Sequence, residues 1–335
     1  MPEHAPAQEP RRFARITAVG GYRPRRVVGN EEICERIQSS DAWIRRRTGI
    51  TARRFAQRDE TVEVMAAAAT GKALAAAGLS APDVDVLIVA SMSYLFQAPP
   101  LASRTAALLP GFRGAAFDVN AACAGFCHAL ETARALVAGG SAEHVVVVGT
   151  ERMSDIVDPA DRSTAFLFGD GAGAVVVGPS AYPALSTAHW GQTVAVETIA
   201  QPAPWSCAPD PAPAGEPPDR HLRMRGPEVF RWATGTLPGV ARRALDLAGV
   251  SADGLTAFVP HQANLRIVDS LATTLGLGPE VRVARDVVTA GNTSAASVPL
   301  AMDALLAEGG VAGGPALLLG FGSGLSYCAQ VVTLP

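Results

Sequence analysis

Cysteine is the strongest nucleophile among the side chains, and one of the five cysteines in this chain stands where such chemistry would be favoured. Cys123 falls between a strand-like run, Ala115-Ala116-Phe117-Asp118-Val119, and a helical pattern from Ala124 to about Ala138. Its sulfur is therefore expected at a helix N-terminus. Aligned peptide dipoles and free amides there stabilise negative charge and draw a thiol pKa from about 8.5 toward neutrality. Cysteines are otherwise small buried hydrophobes, so the reading of Cys123 as a nucleophile depends on its partners. His128 is a poor one, because five positions along a helix turn it about 140° away. His4 lies in a polar opening segment, and His144, His189 and His221 lie in polar or loop-like surroundings.

The elements that position these residues come from an internal duplication. Ala73-Leu74 followed by Ala77-Gly78-Leu79-Ser80-Ala81 returns as Ala244-Leu245 followed by Ala248-Gly249-Val250-Ser251-Ala252, about 171 residues further on. Each copy reads as a helix ended by glycine, then a turn and a buried strand: Val84 to Ala90 in one, Leu255 to Pro260 in the other. Unbroken apolar runs such as Val145 to Val148 and Ala174 to Val177 predict strands covered on both faces. The fold class is α/β, layered, with two similar halves packed together. The same offset carried from Cys123 lands on Ser294, beside Asn292, so two helix N-termini would face one cleft. The second copy's strand ends in Pro260-His261-Gln262. Cys123, His261 and Asn292 thus all fall at element ends, where sites collect in α/β sheets. That trio supports acyl chemistry.

At these residues the chain resembles the β-ketoacyl-acyl-carrier-protein synthase III family of thiolase-fold condensing enzymes. The segments that carry the resemblance run nearly the full length: Asp41-Ala42-Trp43-Ile44 leading to Arg47-Thr48-Gly49-Ile50; Ala121-Ala122-Cys123-Ala124-Gly125-Phe126; Asp161-Arg162-Ser163-Thr164 leading to Phe168-Gly169-Asp170-Gly171-Ala172-Gly173; Pro260-His261-Gln262-Ala263-Asn264-Leu265-Arg266; Gly291-Asn292-Thr293-Ser294-Ala295-Ala296-Ser297; and Gly320-Phe321-Gly322-Ser323-Gly324. The resemblance implies an αβαβα arrangement of the duplicated halves, divided as residues 13–178 with the cysteine and 179–335 with the histidine and asparagine. It implies that Cys123 takes an acyl group from acyl-coenzyme A, and that malonyl-acyl-carrier protein follows, decarboxylates and condenses. His261 and Asn292 would hold the enolate oxygen, and the amides of Cys123 and Ser323 would form an oxyanion hole. Trp43, Arg47, Arg162 and Asn264 would bind coenzyme A or its pantetheine arm, Gln262 and Arg266 the carrier protein, and Ala98 and Phe321 the acyl group. It further implies a homodimer, with acyl-coenzyme A as substrate and no permanently bound cofactor.

Two positions depart from the family pattern. Ala98 stands where a phenylalanine often bounds the acyl pocket, which predicts a starter larger than acetyl, such as propionyl or a short branched or longer group. Pro227 stands where an asparagine often contacts the pantetheine arm. Asn292 itself argues for carbon–carbon bond formation, because aspartate about 4 Å from an enolate would repel it by roughly 4 kcal/mol at an effective dielectric near 20. A type III polyketide synthase, or an acyltransferase to a small-molecule acceptor, is the alternative.

Composition bounds the rest. The chain has 335 residues, 48% of them hydrophobic, enough for a large core or two packed halves without staples. Five scattered cysteines make neither a disulfide framework nor a metal cage; Cys123 and Cys127 are one turn apart, but no second pair or nearby histidine completes a site. Free thiols fit a cytoplasmic protein. No apolar stretch reaches the roughly 18 residues of a membrane span, and a net charge of −3 argues against nucleic acid. Residues 1–12 read as a disordered tail and 201–219, rich in proline and holding Trp205 and Cys207, as a surface loop or lid. The Gly169 to Gly173 string opens no helix, so it is a tight turn rather than a dinucleotide loop.

Overall fold

The computed structural model describes residues 12–205 and 219–335. The expected tail lies almost wholly outside the described residues, as do Cys207 and most of the proline-rich segment. Two five-stranded sheets organise the chain. The first holds β1 (Phe13–Tyr22), β2 (Val86–Ala90), β3 (Ala115–Val119), β4 (Val145–Glu151) and β5 (Gly171–Ser180), in the spatial order β1-β5-β4-β2-β3. The second holds β6 (His189–Gln192), β7 (Ala257–Pro260), β8 (Arg282–Val283), β9 (Pro315–Gly322) and β10 (Ser326–Thr333), in the order β6-β10-β9-β7-β8. Directions match as well as order: the first two pairings in each sheet are antiparallel and the last two parallel. The duplication is therefore carried by topology. The first sheet's last strand runs to Ser180, two residues beyond the boundary expected at 178.

The helices that bear on the site are α1 (Asp41–Thr48), α2 (Val62–Ala77), α3 (Gly125–Ala138), α4 (Gly226–Ala248), α5 (Leu265–Leu275) and α6 (Ser297–Glu308). Period-2 alternation along each strand decides the layers. In β4, Val145 and Val147 face inward to α3 and α6, while Val146 and Val148 face outward to α2. In β9, Leu318 joins the same central layer, while Leu317 and Leu319 pack under α4 and α5. A further helix, Leu101–Ala107, packs beside α2 on the outer face of the first sheet, and the stack is helix pair, sheet, helix pair, sheet, helix pair, the αβαβα order expected. Because both faces of these strands are covered, their runs carry no polar alternation, which is why they read as continuous apolar segments. Among the described residues, no helix is long and apolar enough to cross a membrane.

The two central helices begin at the centre of the molecule, and glycines let them. A Cβ on Gly149 of β4 would stand 2.2 Å from the carbonyl oxygen of Ala295, and one on Gly320 of β9 would stand 2.9 Å from Cys127 Sγ and 3.2 Å from Ala124 Cα. Each half's central strand thus passes under the turn that starts the other half's helix, at a distance only glycine permits. The Gly169 to Gly173 string serves close packing too. Gly171 and Gly173 lie within β5, and a Cβ on Gly173 would meet Pro299 at 2.7 Å. It is a contact surface for α6, not the tight turn expected.

Candidate active site

Cys123 is carried by a short turn between β3 and α3. Asn120 closes it by accepting the amide of Ala122 on Oδ1 at 3.1 Å, and Ala122 adopts a left-handed φ of 47°. The chain then enters a 3-10 turn at Ala122–Ala124 and α3 at Gly125. The helix N-terminus was legible, but its effect on the thiol was not. Cys123 is buried, and burial pushes its pKa up to about 12, outweighing a hydrogen bond with Ser294 that acts in the opposite direction. The resting sulfur is a neutral thiol. The expectation of a depressed pKa does not hold here, because this helix begins beneath a closed apolar lining that strips the thiolate of water. The lining closes tightly: a Cβ on Gly322 would fall 2.8 Å from Cys123 Cβ and 2.9 Å from its nitrogen. Gly322 therefore lies directly against the cysteine.

Asn292 stands on the matching turn of the second half. The segment Leu167 to Gly169 grips its backbone, with Asn292 N donating to Leu167 O (2.8 Å) and Gly169 N to Asn292 O (3.0 Å). Its Oδ1 accepts the amide of Ser294 at 2.9 Å, leaving the Nδ2 amino group as the donor that can serve the cavity. The duplicated turn slips one residue from the offset used above. Asn292 matches Asn120, and Ser294, also at φ 47°, matches Ala122; the counterpart of Cys123 is therefore Ala295 rather than Ser294.

His261 follows β7 directly, fully inside the protein. Its Nδ1 is bonded to Ser297 Oγ at 2.6 Å, the first residue of α6, and the Phe321 ring meets the imidazole edge-on with centroids 5.0 Å apart. With Nδ1 engaged, Nε2 is left for the cavity. Burial lowers the His261 pKa to about 3, so the imidazole, like the thiol, is neutral at rest.

One cavity is lined by Cys123, His261, Asn292, Phe321, Gly322 and Met92, with Phe168, Ile199 and Trp232 among its apolar walls. At about 30 Å³ it holds little more than one or two waters. Through Asn292, Ala263, Met224 and Val229 it opens into an outer cleft of about 470 Å³ that also includes Trp43, Arg47, Arg162, Asn264 and Arg266. There the Arg162 guanidinium lies 5.7 Å from the Trp43 ring, Arg266 lies 5.1 Å from Phe230, and Asn264 caps α5 by accepting from Ile267 N at 3.1 Å. The expected coenzyme A residues and Arg266 thus share one entrance, and Pro227 lines it too.

Two expected residues lie elsewhere, and a third presents only its backbone. Gln262 is buried; its Nε2 donates to Pro260 O (2.7 Å) and Ala284 O (3.3 Å), and its Oε1 accepts from Val287 N (3.1 Å). It braces the histidine loop and cannot meet a carrier protein, which corrects that reading. Ala98 is exposed and absent from the lining of the Cys123 cavity. The Ser323 side chain points away, its hydroxyl donating to Ile199 O at 2.6 Å.

Sequence reasoning missed Glu151, Ser294 and Ser297. Glu151 ends β4 and is buried without an ion-pair partner among the described residues. Its carboxylate accepts from Ser91 Oγ, the amides of Met92, Ser93 and Ala295, and the hydroxyls of Ser93 and Ser294. The available signal was an acid closing a strand that opens with four valines, where burial is costly without a purpose.

Comparison with known proteins gives one answer. Residues 117–193 match the family model for 3-oxoacyl-[acyl-carrier-protein] synthase III, and residues 245–334 match its C-terminal model. A β-ketoacyl-[acyl-carrier-protein] synthase III of Streptomyces glaucescens is 52% identical, covering 96% of this chain and 97% of that protein. The crystal structure of a priming β-ketosynthase from a polyketide biosynthetic pathway superposes with a TM-score of 0.92 at 46% identity, covering 99% of each chain. That of the 3-oxoacyl-[acyl-carrier-protein] synthase III of Aquifex aeolicus gives 0.86 at 35% identity, covering 96% of this chain and 99% of that one.

Proposed function

The chain belongs to the β-ketoacyl-acyl-carrier-protein synthase III family, and from that premise we propose how its residues divide the family's decarboxylative condensation, which initiates fatty-acid or polyketide synthesis. Cys123 attacks the thioester carbonyl of an acyl-coenzyme A, and coenzyme A leaves. Malonyl-acyl-carrier protein then enters the same cleft. Its thioester oxygen accepts hydrogen bonds from Asn292 Nδ2 and His261 Nε2, so that loss of carbon dioxide leaves an enolate held by two neutral donors. The enolate carbon attacks the acyl-cysteine, and the oxygen of that tetrahedral intermediate faces the amides of Cys123 and Ser323. The observation that carries this reading is one small, apolar-walled cavity lined by Cys123, His261 and Asn292 at the end of a larger cationic cleft. Neutrality of the imidazole suits it as a donor, because its Nδ1 is already engaged and its protonated form is disfavoured by burial.

The cleft supports binding of coenzyme A by Trp43, Arg47 and Arg162, with Asn264 beside the pantetheine arm and Arg266 meeting its phosphate or an acidic carrier protein. No cofactor is needed beyond the acyl-coenzyme A substrate. Phe321 bounds the acyl group. The small residue at Ala98 favours starters larger than acetyl, and that role would need the loop bearing Ala98 to approach a second subunit's cavity. A homodimer is supported by the free edge of the first sheet, where β3 pairs with β2 alone, and by exposed Leu95, Phe96 and Phe117 near it.

Incubation with a panel of labelled acyl-coenzyme A thioesters, with and without malonyl-acyl-carrier protein, tests the reading. Intact-mass analysis is expected to find the acyl group on Cys123, and carbon dioxide with a β-ketoacyl-carrier protein only when both substrates are present. Acyl transfer to water or to a small alcohol, without carbon dioxide, would overturn it. A kcat/KM for acetyl-coenzyme A above that for every larger thioester would overturn the starter assignment.

A further inference from the structure

Asn292 serves the condensation only while its amide is held toward the enolate oxygen, and the bonds that hold it lead back to a residue outside the cavity. Arg53 is fully buried. Its Nη2 donates to Phe166 O at 2.7 Å and its Nη1 to Val28 O at 3.4 Å; among the described residues Nε has no partner, and the guanidinium meets carbonyls but no carboxylate. Burial lowers its pKa to about 10, so it stays charged at neutral pH. A cation enclosed without an anion is costly. We propose that Arg53 is a positioning residue for the decarboxylation: its guanidinium pins the segment 166–169, and that segment sets the Asn292 amide. This rests on the condensation reading given above and adds to it a residue that acts on one step.

The bonds form a continuous chain. Arg53 Nη2 holds Phe166 O, the next carbonyl, Leu167 O, accepts Asn292 N at 2.8 Å, and Gly169 N donates to Asn292 O at 3.0 Å. Phe168 and Asn292 thereby form an isolated parallel bridge, and both line the Cys123 cavity. The arginine is fixed from behind as well. It belongs to a short hairpin of Arg26–Gly29 with Ala52–Phe55, in which Val28 and Arg53 are paired. On either side of it, Thr51 N donates to Val288 O at 2.7 Å and Arg54 O accepts Asp170 N at 2.8 Å.

Two glycines make room for the side chain. A Cβ on Gly169 would stand 3.1 Å from Arg53 Cβ, and one on Gly291 would stand 3.0 Å from it. These glycines follow Phe168 and precede Asn292, so the stem of Arg53 fills the corner beneath the bridge, and Gly291 also holds a φ of 67° that favours glycine. An apolar side chain of the same bulk could fill that corner. Only a donor can hold Phe166 O, and a charged one holds it more strongly than a neutral one.

Two rates separate the steps: rapid-quench acylation by labelled acyl-coenzyme A, and carbon dioxide release from malonyl-acyl-carrier protein by the acylated enzyme. Arg53→Met keeps the bulk and removes the donors. It is expected to slow carbon dioxide release by about a hundredfold, the cost of misplacing a reacting group by about 1 Å, while acylation stays within about twofold of wild type. Arg53→Lys, which can still donate to Phe166 O, should fall between the two. In an Asn292→Ala background Arg53→Met should change carbon dioxide release by less than about twofold, because the group it positions is gone. Arg54→Met, which loses a bond to Pro24 O instead, should keep both rates. Equal loss of both rates in Arg53→Met would mean that Arg53 only supports the fold. That result overturns the assignment, as does wild-type carbon dioxide release in Arg53→Met, an undiminished loss on top of Asn292→Ala, or a matching loss in Arg54→Met. Should Arg53→Met not fold, Arg53→Lys decides: a loss of about threefold or more in carbon dioxide release that vanishes with Asn292→Ala is expected, and no loss, or one that persists, overturns it. Wild-type protein that releases no carbon dioxide with both substrates present would instead count against the condensation reading.

Discussion

The turn from Asn120 to Ala124 and the turn from Asn292 to Ala296 are two copies of one backbone device with different chemistry mounted on them. Each opens with an asparagine whose Oδ1 accepts the amide two residues on, each holds a non-glycine residue at φ 47°, and each feeds a 3-10 turn into a central helix. The residues set on this frame differ. Cys123 in the first matches Ala295 in the second. Under Cys123 lies Gly322 of β9, whereas the position matching Gly322 in β4 is Glu151, bonded to Ser294 and Ala295. Asn120 lines an outer surface pocket with His128 and Trp190, while Asn292 faces the cavity of Cys123. Duplication supplies two helix N-termini at one point. Specialisation then gives the nucleophile to one and the amide donor, with a buried acid behind it, to the other.

The largest test of that asymmetry removes the nucleophile and offers it back on the other turn. Cys123→Ala is expected to lower acyl-enzyme formation by at least about a thousandfold. Adding Ala295→Cys should not restore it, because the new sulfur would stand over Glu151 rather than over Gly322 and would have no asparagine donor facing it. Intact-mass analysis after incubation with acyl-coenzyme A reads both variants; an acylated double variant would show that the two turns are chemically equivalent. A second pair compares the asparagines. Aspartate keeps the side-chain acceptor each turn needs, so Asn120→Asp should change turnover less than about threefold. In Asn292→Asp the new charge about 4 Å from the enolate costs roughly 4 kcal/mol at a dielectric near 20. Condensation should fall about a thousandfold while the acyl-cysteine still accumulates. Carbon dioxide release measured beside acyl-enzyme mass separates the two steps.

Most of this arrangement could be read from the chain because it rests on local pattern. Repeated segments around Ala73 and Ala244, apolar strands, and glycines at Gly149, Gly320 and Gly322 are sequence features, and they lead to two stacked sheets and a cysteine, histidine and asparagine at element ends. What could not be read depends on the neighbours of a residue across the fold. The pKa of Cys123 is decided by the closure of Gly322, Phe321 and Ile199 around it, and none of these is near it in sequence. Gln262 looked like part of a recognition motif and is a brace, since the carbonyls of Pro260 and Ala284 that hold its amide are apparent only in space. Glu151 escaped notice because its donors come from residues 91–93 and 294–295.

A smaller effect separates the glycines beneath the two turns. In Gly149→Ala the new methyl meets the Ala295 carbonyl at 2.2 Å, main chain that cannot step aside; in Gly320→Ala the nearest atom is Cys127 Sγ at 2.9 Å, with Ala124 Cα at 3.2 Å. Overpacking of this kind costs about 1–3 kcal/mol, and Gly149→Ala is expected at the upper end. Adding Cys127→Ala removes the sulfur and should recover part of the Gly320→Ala loss, whereas no side-chain truncation can relieve Gly149→Ala. Denaturant midpoints for these three variants and for Cys127→Ala alone test the order; a Gly320→Ala more damaging than Gly149→Ala would reverse the packing comparison.

The smallest effect is on the pH dependence of stability, where the two turns act at opposite ends of the scale. His261, held by the second turn's helix, has a folded pKa of about 3 against an ordinary 6.5. Between those values the unfolded chain takes up a proton that the folded protein does not, so stability falls as pH drops from 6.5 toward 3, by at most about tenfold in the folding equilibrium per unit. Cys123 works the other way. Its folded pKa of about 12 lies above an ordinary 9, so the contribution is intact below pH 9 and is lost as pH rises toward 12, where the unfolded thiol ionises first. His261→Asn should flatten the acid limb and leave the alkaline limb, whereas Cys123→Ala should leave the acid limb and remove only its own share of an alkaline limb to which the buried thiols of Cys127 and Cys328 also contribute. Urea midpoints from pH 4 to pH 10 measure both limbs, and a His261→Asn acid limb as steep as the wild type's would mean that the imidazole is not held neutral by the fold.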